Sequence, residues 1–214
     1  VVNIITRRIA RTWRGSARTN GTMQLGADYG NAADGNFYLS GPIAGSVGLQ
    51  LQGAMTRRGE DRVIGGTPER HDESLAGKIG WNAGPNHSFL AELGYYRQTV
   101  TATAGKTVAI SATVPRGTEN IQAQRRYVGS ISHSGEWGFA GSESYLQLEG
   151  AESLQDNKRI KNTIAQSIWM VPLPANALSI GAFYRHEDLS DKVGNRLAGS
   201  IQIGRAHVLT PVTS

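Results

Sequence analysis

Residues 13–28, with the sequence WRGSARTNGTMQLGAD, alternate between two kinds of side chain. One set of alternate positions is apolar or small, namely Trp13, Gly15, Ala17, Thr19, Gly21, Met23, Leu25 and Ala27. The other set is mostly polar and includes Arg14 and Arg18. Because successive side chains of a β-strand point to opposite faces, a period of two predicts a long strand with one apolar and one polar face.

The same alternation recurs along the chain, and it indicates an all-β fold with roughly nine or ten strands. It is present at 47–55, 74–82, 88–96, 142–152 and 176–187. No segment shows a helical repeat, and no run of 18 apolar residues is available for a membrane-spanning helix. The chain has no Cys, which excludes disulfides and thiolate metal sites.

The connections between the predicted strands are of two kinds, which follow one another in turn. Short connections rich in Pro, Gly and Asn lie at 41–46, 82–87, 134–138 and 172–177. Longer, charged connections are predicted at 57–73, 99–126 and 152–162. Short turns at one end and long loops at the other are typical of up-and-down barrels of the outer-membrane type.

The four tryptophans and the overall composition agree with this interpretation. Trp13, Trp81, Trp137 and Trp169 all fall near the predicted short-turn end, as expected for an aromatic girdle at a membrane interface. Hydrophobic residues make up 39% of the chain, which is low for a soluble packed core. We therefore expect an antiparallel transmembrane β-barrel, since strands in hydrocarbon pair all their backbone groups only in a closed sheet.

The N-terminal VVNIITRR, residues 1–8, resembles the end of the plug domain of TonB-dependent outer-membrane receptors, and the following WRGS resembles their first barrel strand. Segments 39–61, 86–98 and 184–191 resemble the catecholate siderophore branch, which includes the ferric enterobactin and colicin I receptors. The resemblance implies a plugged 22-stranded barrel, of which this chain is a partial copy. Residues 1–10 would form the C-terminal end of the plug domain and the linker, and residues 11–202 roughly the first half of the barrel.

The resemblance also implies partners and excludes others. A ferric siderophore would bring its own iron, so no cofactor of the protein is expected. The TonB complex would act through an N-terminal region that this sequence lacks, and a colicin or phage could use the same surface. Residues 203–214 break the strand pattern and resemble a translated sequencing adapter, so we expect a non-native tail.

No catalytic or nucleic-acid-binding pattern is present, so the chain is not expected to be an enzyme. AGKT at 104–107 lacks the first glycine of a phosphate-binding loop, because position 100 is Val100. His186, Glu187, Asp188 and Asp191 lack the spacing of a metal site. The net charge of +5 comes from short basic clusters between strands, rather than from one basic stripe suited to nucleic acid.

The basic clusters lie at the long-loop end, where they suit an anionic, aromatic ligand such as a ferric catecholate. The candidate ligand-binding residues are Tyr96, Arg97, Arg116 and Arg125. An alternative is that these basic side chains bind the phosphates of lipopolysaccharide among the outer-membrane lipids. For the whole protein, a passive porin or an adhesin barrel and a soluble β-sandwich stay open as alternatives.

Overall fold

The computed structural model describes residues 9–174, 176–190, 196–198 and 205–209, and these form one antiparallel sheet. Each strand from β1 to β10 pairs with the next strand in the sequence, so the topology is up-and-down. The described part of the chain contains no helix long and apolar enough to cross a membrane. The strands are β1 Arg14–Thr22, β2 Ala32–Ala44, β3 Val47–Arg58, β4 Glu69–Asn82, β5 His87–Thr103, β6 Glu119–Glu136, β7 Gly141–Ser153, β8 Lys158–Pro172, β9 Ala177–Ser190, β10 Arg196–Ala198 and β11 Arg205–Leu209. The predicted all-β fold is confirmed: the nine strands β1 to β9 have nine or more residues each, which agrees with the predicted nine or ten, and the two further strands are short.

The two short strands both pair with β9. β10 lies against Asp188–Ser190, and β11 lies against Ala177–Gly181. Residues 1–8 of the predicted plug and linker segment 1–10, and residues 203–204 and 210–214 of the predicted tail, lie outside the described residues. The domain boundaries therefore stay predictions.

The register of the strands sorts the side chains into two continuous faces. On the outer face, Leu51 pairs with Gly77, Gly77 with Leu93, Leu93 with Gly129, and Gly129 with Leu148. Leu93 is 72% exposed, whereas Ala104 and Ala140 are the buried apolar residues of the described chain. Large apolar side chains therefore point away from the protein, as a lipid-facing surface requires.

The inner face is polar along the same strands. Gln50 of β3 pairs with Lys78 of β4, and Lys78 pairs with Glu92 of β5. The Lys78 ammonium and the Glu92 carboxylate form an ion pair. This split explains the alternation in the sequence, because lipid lies on one side of the sheet and the barrel interior on the other.

The connections separate as predicted, but the long ones are shorter than the sequence indicated. The short turns at one end are 45–46, 83–86, 137–140 and 173–176, and the connections at the other end are 23–31, 59–68, 104–118 and 154–157. The predicted loops at 57–73, 99–126 and 152–162 were wrong in extent. The parts of these segments next to the sheet continue as strands, but they are short and mix charged residues with few apolar ones, so the alternation there is weak.

The tryptophans lie at the short-turn end, as predicted. The Trp137 and Trp169 rings stack with centroids 5.7 Å apart, and Trp81 stacks on Phe89 at 5.3 Å. His87 and His133 join this group through edge contacts with Trp137. Amphipathic rings of this kind suit the boundary between hydrocarbon and water.

Candidate functional site

A polar cluster on the inner face joins three strands near the long-loop end. We call it the inner cluster; it consists of Arg70 and Asp72 of β4, Tyr96 and Gln98 of β5, and Gln124 of β6. The register brings it together, since Asp72 pairs with Gln98 and Gln98 pairs with Gln124. These residues are polar at every second position, which directs them all to one face.

Asp72 is the centre of the inner cluster. Its carboxylate accepts hydrogen bonds from Arg70 Nε at 2.6 Å, Gln98 Nε2 at 2.8 Å and Tyr96 Oη at 3.3 Å. Gln98 Nε2 also donates to Tyr96 Oη at 2.9 Å, and Gln124 Nε2 donates to Gln98 Oε1 at 2.7 Å. The network fixes the Tyr96 ring at the wall of an inner-face groove of about 700 Å³, to which Arg126 and Lys78 also contribute.

A second cluster joins two of the connections above the sheet through Glu60, whose side chain is 4% exposed. One carboxylate oxygen accepts from Thr103 N at 2.5 Å and Thr107 Oγ1 at 2.6 Å. The other accepts from Thr103 Oγ1 at 2.7 Å and Lys106 Nζ at 3.2 Å. Burial raises the pKa of Glu60, but the hydrogen bonds from Thr107, Thr103 and Lys106 outweigh it and hold the pKa at about 2.

Asp61 links the same region to the connection at 23–31. Its carboxylate accepts from Gly30 N at 2.8 Å, Thr67 N at 2.8 Å and Arg58 Nη2 at 2.7 Å. The backbone bonds from Gly30 and Thr67, together with the Arg58 guanidinium, lower the pKa of Asp61 to about 2. A Cβ on Gly30 would lie 1.8 Å from the Gly59 carbonyl oxygen, so the two connections approach this closely only with glycine there.

The four predicted ligand-binding residues do not form one site. Tyr96 lies on the inner face, and Arg116 lies in the connection at 104–118, where it packs against Gly105. Arg97 and Arg125 face each other across β5 and β6 at positions that alternate with Tyr96 and Arg126. They therefore lie on the outer face. Contact of any of the four with a siderophore stays a prediction.

Glu60, Asp61 and the inner-cluster partners of Tyr96 were not predicted from the sequence. Asp72 and Gln98 alternate with outer-face residues, so the period of two could have placed them beside Tyr96. No comparable signal exists for Glu60, because its partners lie 43 to 47 residues away. Within the described residues, no group of three or more His, Asp or Glu could hold a metal ion.

Comparison with known proteins extends these observations. No family model matches the chain. It is 31% identical over 207 residues to the iron-regulated outer membrane virulence protein of Vibrio cholerae serotype O1, covering 95% of this chain and 31% of that protein. It is 25% identical over 191 residues to the ferric enterobactin receptor PirA of Pseudomonas aeruginosa, covering 78% of this chain and 24% of the relative.

The solved structures agree on the fold. The crystal structure of the siderophore receptor PirA from Pseudomonas aeruginosa matches with a TM-score of 0.68 at 21% identity, covering 92% of this chain and 34% of that one. The chain thus spans between about a quarter and a third of the length of the curated relatives it matches. It is part of a β-barrel of the Gram-negative outer membrane. These relatives are named as receptors or as an outer-membrane protein, and none is named as an enzyme. This is consistent with the expectation that the chain is not an enzyme.

Proposed function

Because this chain is a homologue of iron-regulated outer-membrane proteins and of a ferric enterobactin receptor, we propose that it is part of a TonB-dependent receptor that takes up ferric siderophores. The observation that carries the proposal is the 31% identity that runs over 95% of the chain. No bond of the ligand is made or broken by this activity. The barrel binds the complex at the outer surface, and an energised step at the plug admits it.

The chemistry of the loop end favours a catecholate ligand. A ferric tris-catecholate carries negative charge on an aromatic surface, which guanidinium and phenol groups bind by charge, hydrogen bonding and cation–π contact. Tyr96 and Arg126 border the inner-face groove, and Arg116 lies exposed in the connection above it. The iron arrives within the ligand, so the proposal includes no resident metal or cofactor.

The test measures binding of ferric enterobactin by the full-length protein that contains this chain, purified in a neutral detergent free of lipopolysaccharide. Quenching of tryptophan fluorescence reports binding, with a ferric hydroxamate as the comparison ligand. Loss of one charge-assisted contact removes about 1.5–3 kcal/mol, so Arg116→Gln is expected to weaken ferric enterobactin binding about tenfold or more. The matched control is Arg57→Gln, which removes the same charge from the outer face.

The possible outcomes test the receptor function and the class of its ligand separately. Tight binding of ferric enterobactin but not of the hydroxamate supports the proposal. Preference for the hydroxamate would retain a siderophore receptor but overturn the catecholate assignment. Binding of neither complex would overturn the proposed function.

A further inference from the structure

Charged side chains form a continuous row across the outer face of β4 to β8. We call it the charged row; its members pair in succession: Glu73 with Arg97, Arg97 with Arg125, Arg125 with Glu152, and Glu152 with Arg159. On β4 to β7 the next outer-face positions toward the short turns carry apolar or aromatic residues or glycine, whereas on β8, below Arg159, they carry Lys161, Thr163 and Ala165. A surface built to contact hydrocarbon therefore becomes charged at one level.

That level corresponds to the outer boundary of the hydrocarbon. One step lower, Tyr95 pairs with Tyr127, and one step lower still Leu93 pairs with Gly129. Arg97 lies ten residues along β5 from His87, which belongs to the aromatic group at the short-turn end. Ten residues of a strand tilted by roughly 40° rise about 25 Å, which equals the height of the apolar band of such barrels.

The charges within the row are unevenly matched. Glu152 is shared, since it accepts from Arg159 Nε at 2.8 Å and pairs with Arg125 Nη2 at 3.3 Å. Glu73 attracts Arg97 electrostatically from the neighbouring strand, but its carboxylate is bonded to His71 Nε2 at 2.5 Å. Among the described residues, Arg97 makes no ion pair within 4.0 Å, although it stands directly opposite Arg125.

Two like charges on neighbouring strands repel each other, so this arrangement costs stability unless an anion lies between them. Arg125 has a carboxylate partner on one side, Glu152 of β7, and Arg97 of β5 on the other side. The space above the Arg97–Arg125 pair is open, since both side chains are exposed. An anion that reaches this pair comes from the lipid side of the barrel, because the groove with Tyr96 opens on the other face.

We propose that the charged row is a binding site for the phosphate groups of lipid A in the outer leaflet, with Arg97 and Arg125 as its central contacts. Arginine matches phosphate in a bidentate geometry, and tyrosine rings suit the headgroup level just below. Leu93, Leu148 and Ile131 continue the surface toward the bilayer centre, where acyl chains of the same lipid would pack. The site is separate from the proposed siderophore site on the inner face and in the loops.

The test uses the full-length protein, stripped of lipid in a neutral detergent and titrated with diphosphoryl lipid A or with chemically dephosphorylated lipid A. Native mass spectrometry gives the dissociation constant for each lipid. The double variant R97Q/R125Q removes two cations from the row. Since each arginine near a lipid headgroup contributes about 1 kcal/mol, we expect it to bind diphosphoryl lipid A about thirtyfold more weakly.

The matched control is R18Q/R126Q, which removes two arginines from the inner face of β1 and β6. The proposal requires that this control and the wild-type protein bind diphosphoryl lipid A alike, and that R97Q/R125Q weakens binding of the phosphorylated lipid only. It is overturned if R97Q/R125Q binds like the wild type, if both double variants lose affinity equally, or if both lipids are affected equally. A selective loss of ferric enterobactin affinity in R97Q/R125Q, measured without lipid, would also overturn it.

Discussion

Replacement of Glu60 by Gln tests whether one carboxylate holds the connection at 104–118 in place. The substitution keeps the size of the side chain and removes its charge. The amide oxygen can still accept the two bonds from Thr103 N and Thr107 Oγ1, but the amide nitrogen becomes a donor directed at Thr103 Oγ1 and Lys106 Nζ. The buried side chain thus loses its ion pair and weakens its remaining bonds.

The size of the effect follows from these contacts. A hydrogen bond to a charged group contributes about 1.5–3 kcal/mol, against about 1 kcal/mol for a neutral one. Weakening the two retained bonds and losing the contact with Lys106 therefore lowers the free energy of local opening by at least about 2 kcal/mol. Where the exchange of backbone amides requires local opening, this difference raises the exchange rate about thirtyfold.

The measurement is hydrogen–deuterium exchange with mass spectrometry on the full-length protein in detergent. Peptides covering 103–118 report on the amides of Gly105, Lys106 and Val108, whose bonds close the turn at the start of this connection. Glu119→Gln is the matched control, because Glu119 is exposed at the other end of the same connection. If both variants exchange at the wild-type rate between 103 and 118, the carboxylate does not hold this connection and the reasoning is wrong.

Three further predictions concern the same molecule. The pKa values of Glu60 and Asp61 are lowered from 4.5 and 3.8 to about 2, so their contribution to loop stability is complete above about pH 4.5 and is lost as the pH falls toward 2. Relative to its digestion of an unfolded peptide at the same pH, pepsin is expected to digest the connections much faster at pH 2 than at pH 4. Equal relative protection at both pH values would contradict this. Gly150→Val is expected to destabilise the barrel by about 1–3 kcal/mol, because a Cβ there would lie 2.1 Å from Tyr127 Cζ. The measurement is the midpoint temperature of heat-induced unfolding on gels, which should fall. The control is Gly45→Val, because no atom lies within 4 Å of a Cβ at that position. Among the described residues, β1 pairs with β2 only, so the chain alone is expected to associate through the other edge of β1, and light scattering that shows a folded monomer in water would disprove it.

The sequence predicted the lipid-facing part of the sheet well because that part has two different environments. Leu93 and Tyr95 face lipid while Gly94 and Tyr96 face the interior, so the chemistry alternates with the strand. Above the membrane both faces contact water, and this cause of alternation disappears. Arg125 and Arg126 lie on opposite faces of β6. Because both are arginines, the sequence shows no alternation there, and this part of the strand was predicted as a loop.

The candidate site was less predictable because its contacts are made between distant parts of the chain. Tyr96 was identified from its position near the end of a predicted strand, but its bond to Asp72 depends on the register between β4 and β5. Arg97 follows Tyr96 directly, and the pleat sends it to the opposite side of the barrel wall. Adjacency in sequence therefore grouped two residues that the sheet separates.

The unequal strand lengths give the wall of this segment an uneven rim. β5 and β6 stay paired up to Thr103 and Glu119, whereas β7 begins to pair with β6 only at Gln124. Within the described residues, positions 119–123 of β6 have no ladder partner on β7, which leaves a step about 16 Å deep along the strand. Beside the tall hairpin, the wall therefore has a notch at the four-residue turn 154–157. The turn supports the taller hairpin from the side, because Leu154 N donates to the Ala123 carbonyl oxygen at 2.8 Å and Gln155 Nε2 donates to Asn120 Oδ1 at 3.1 Å.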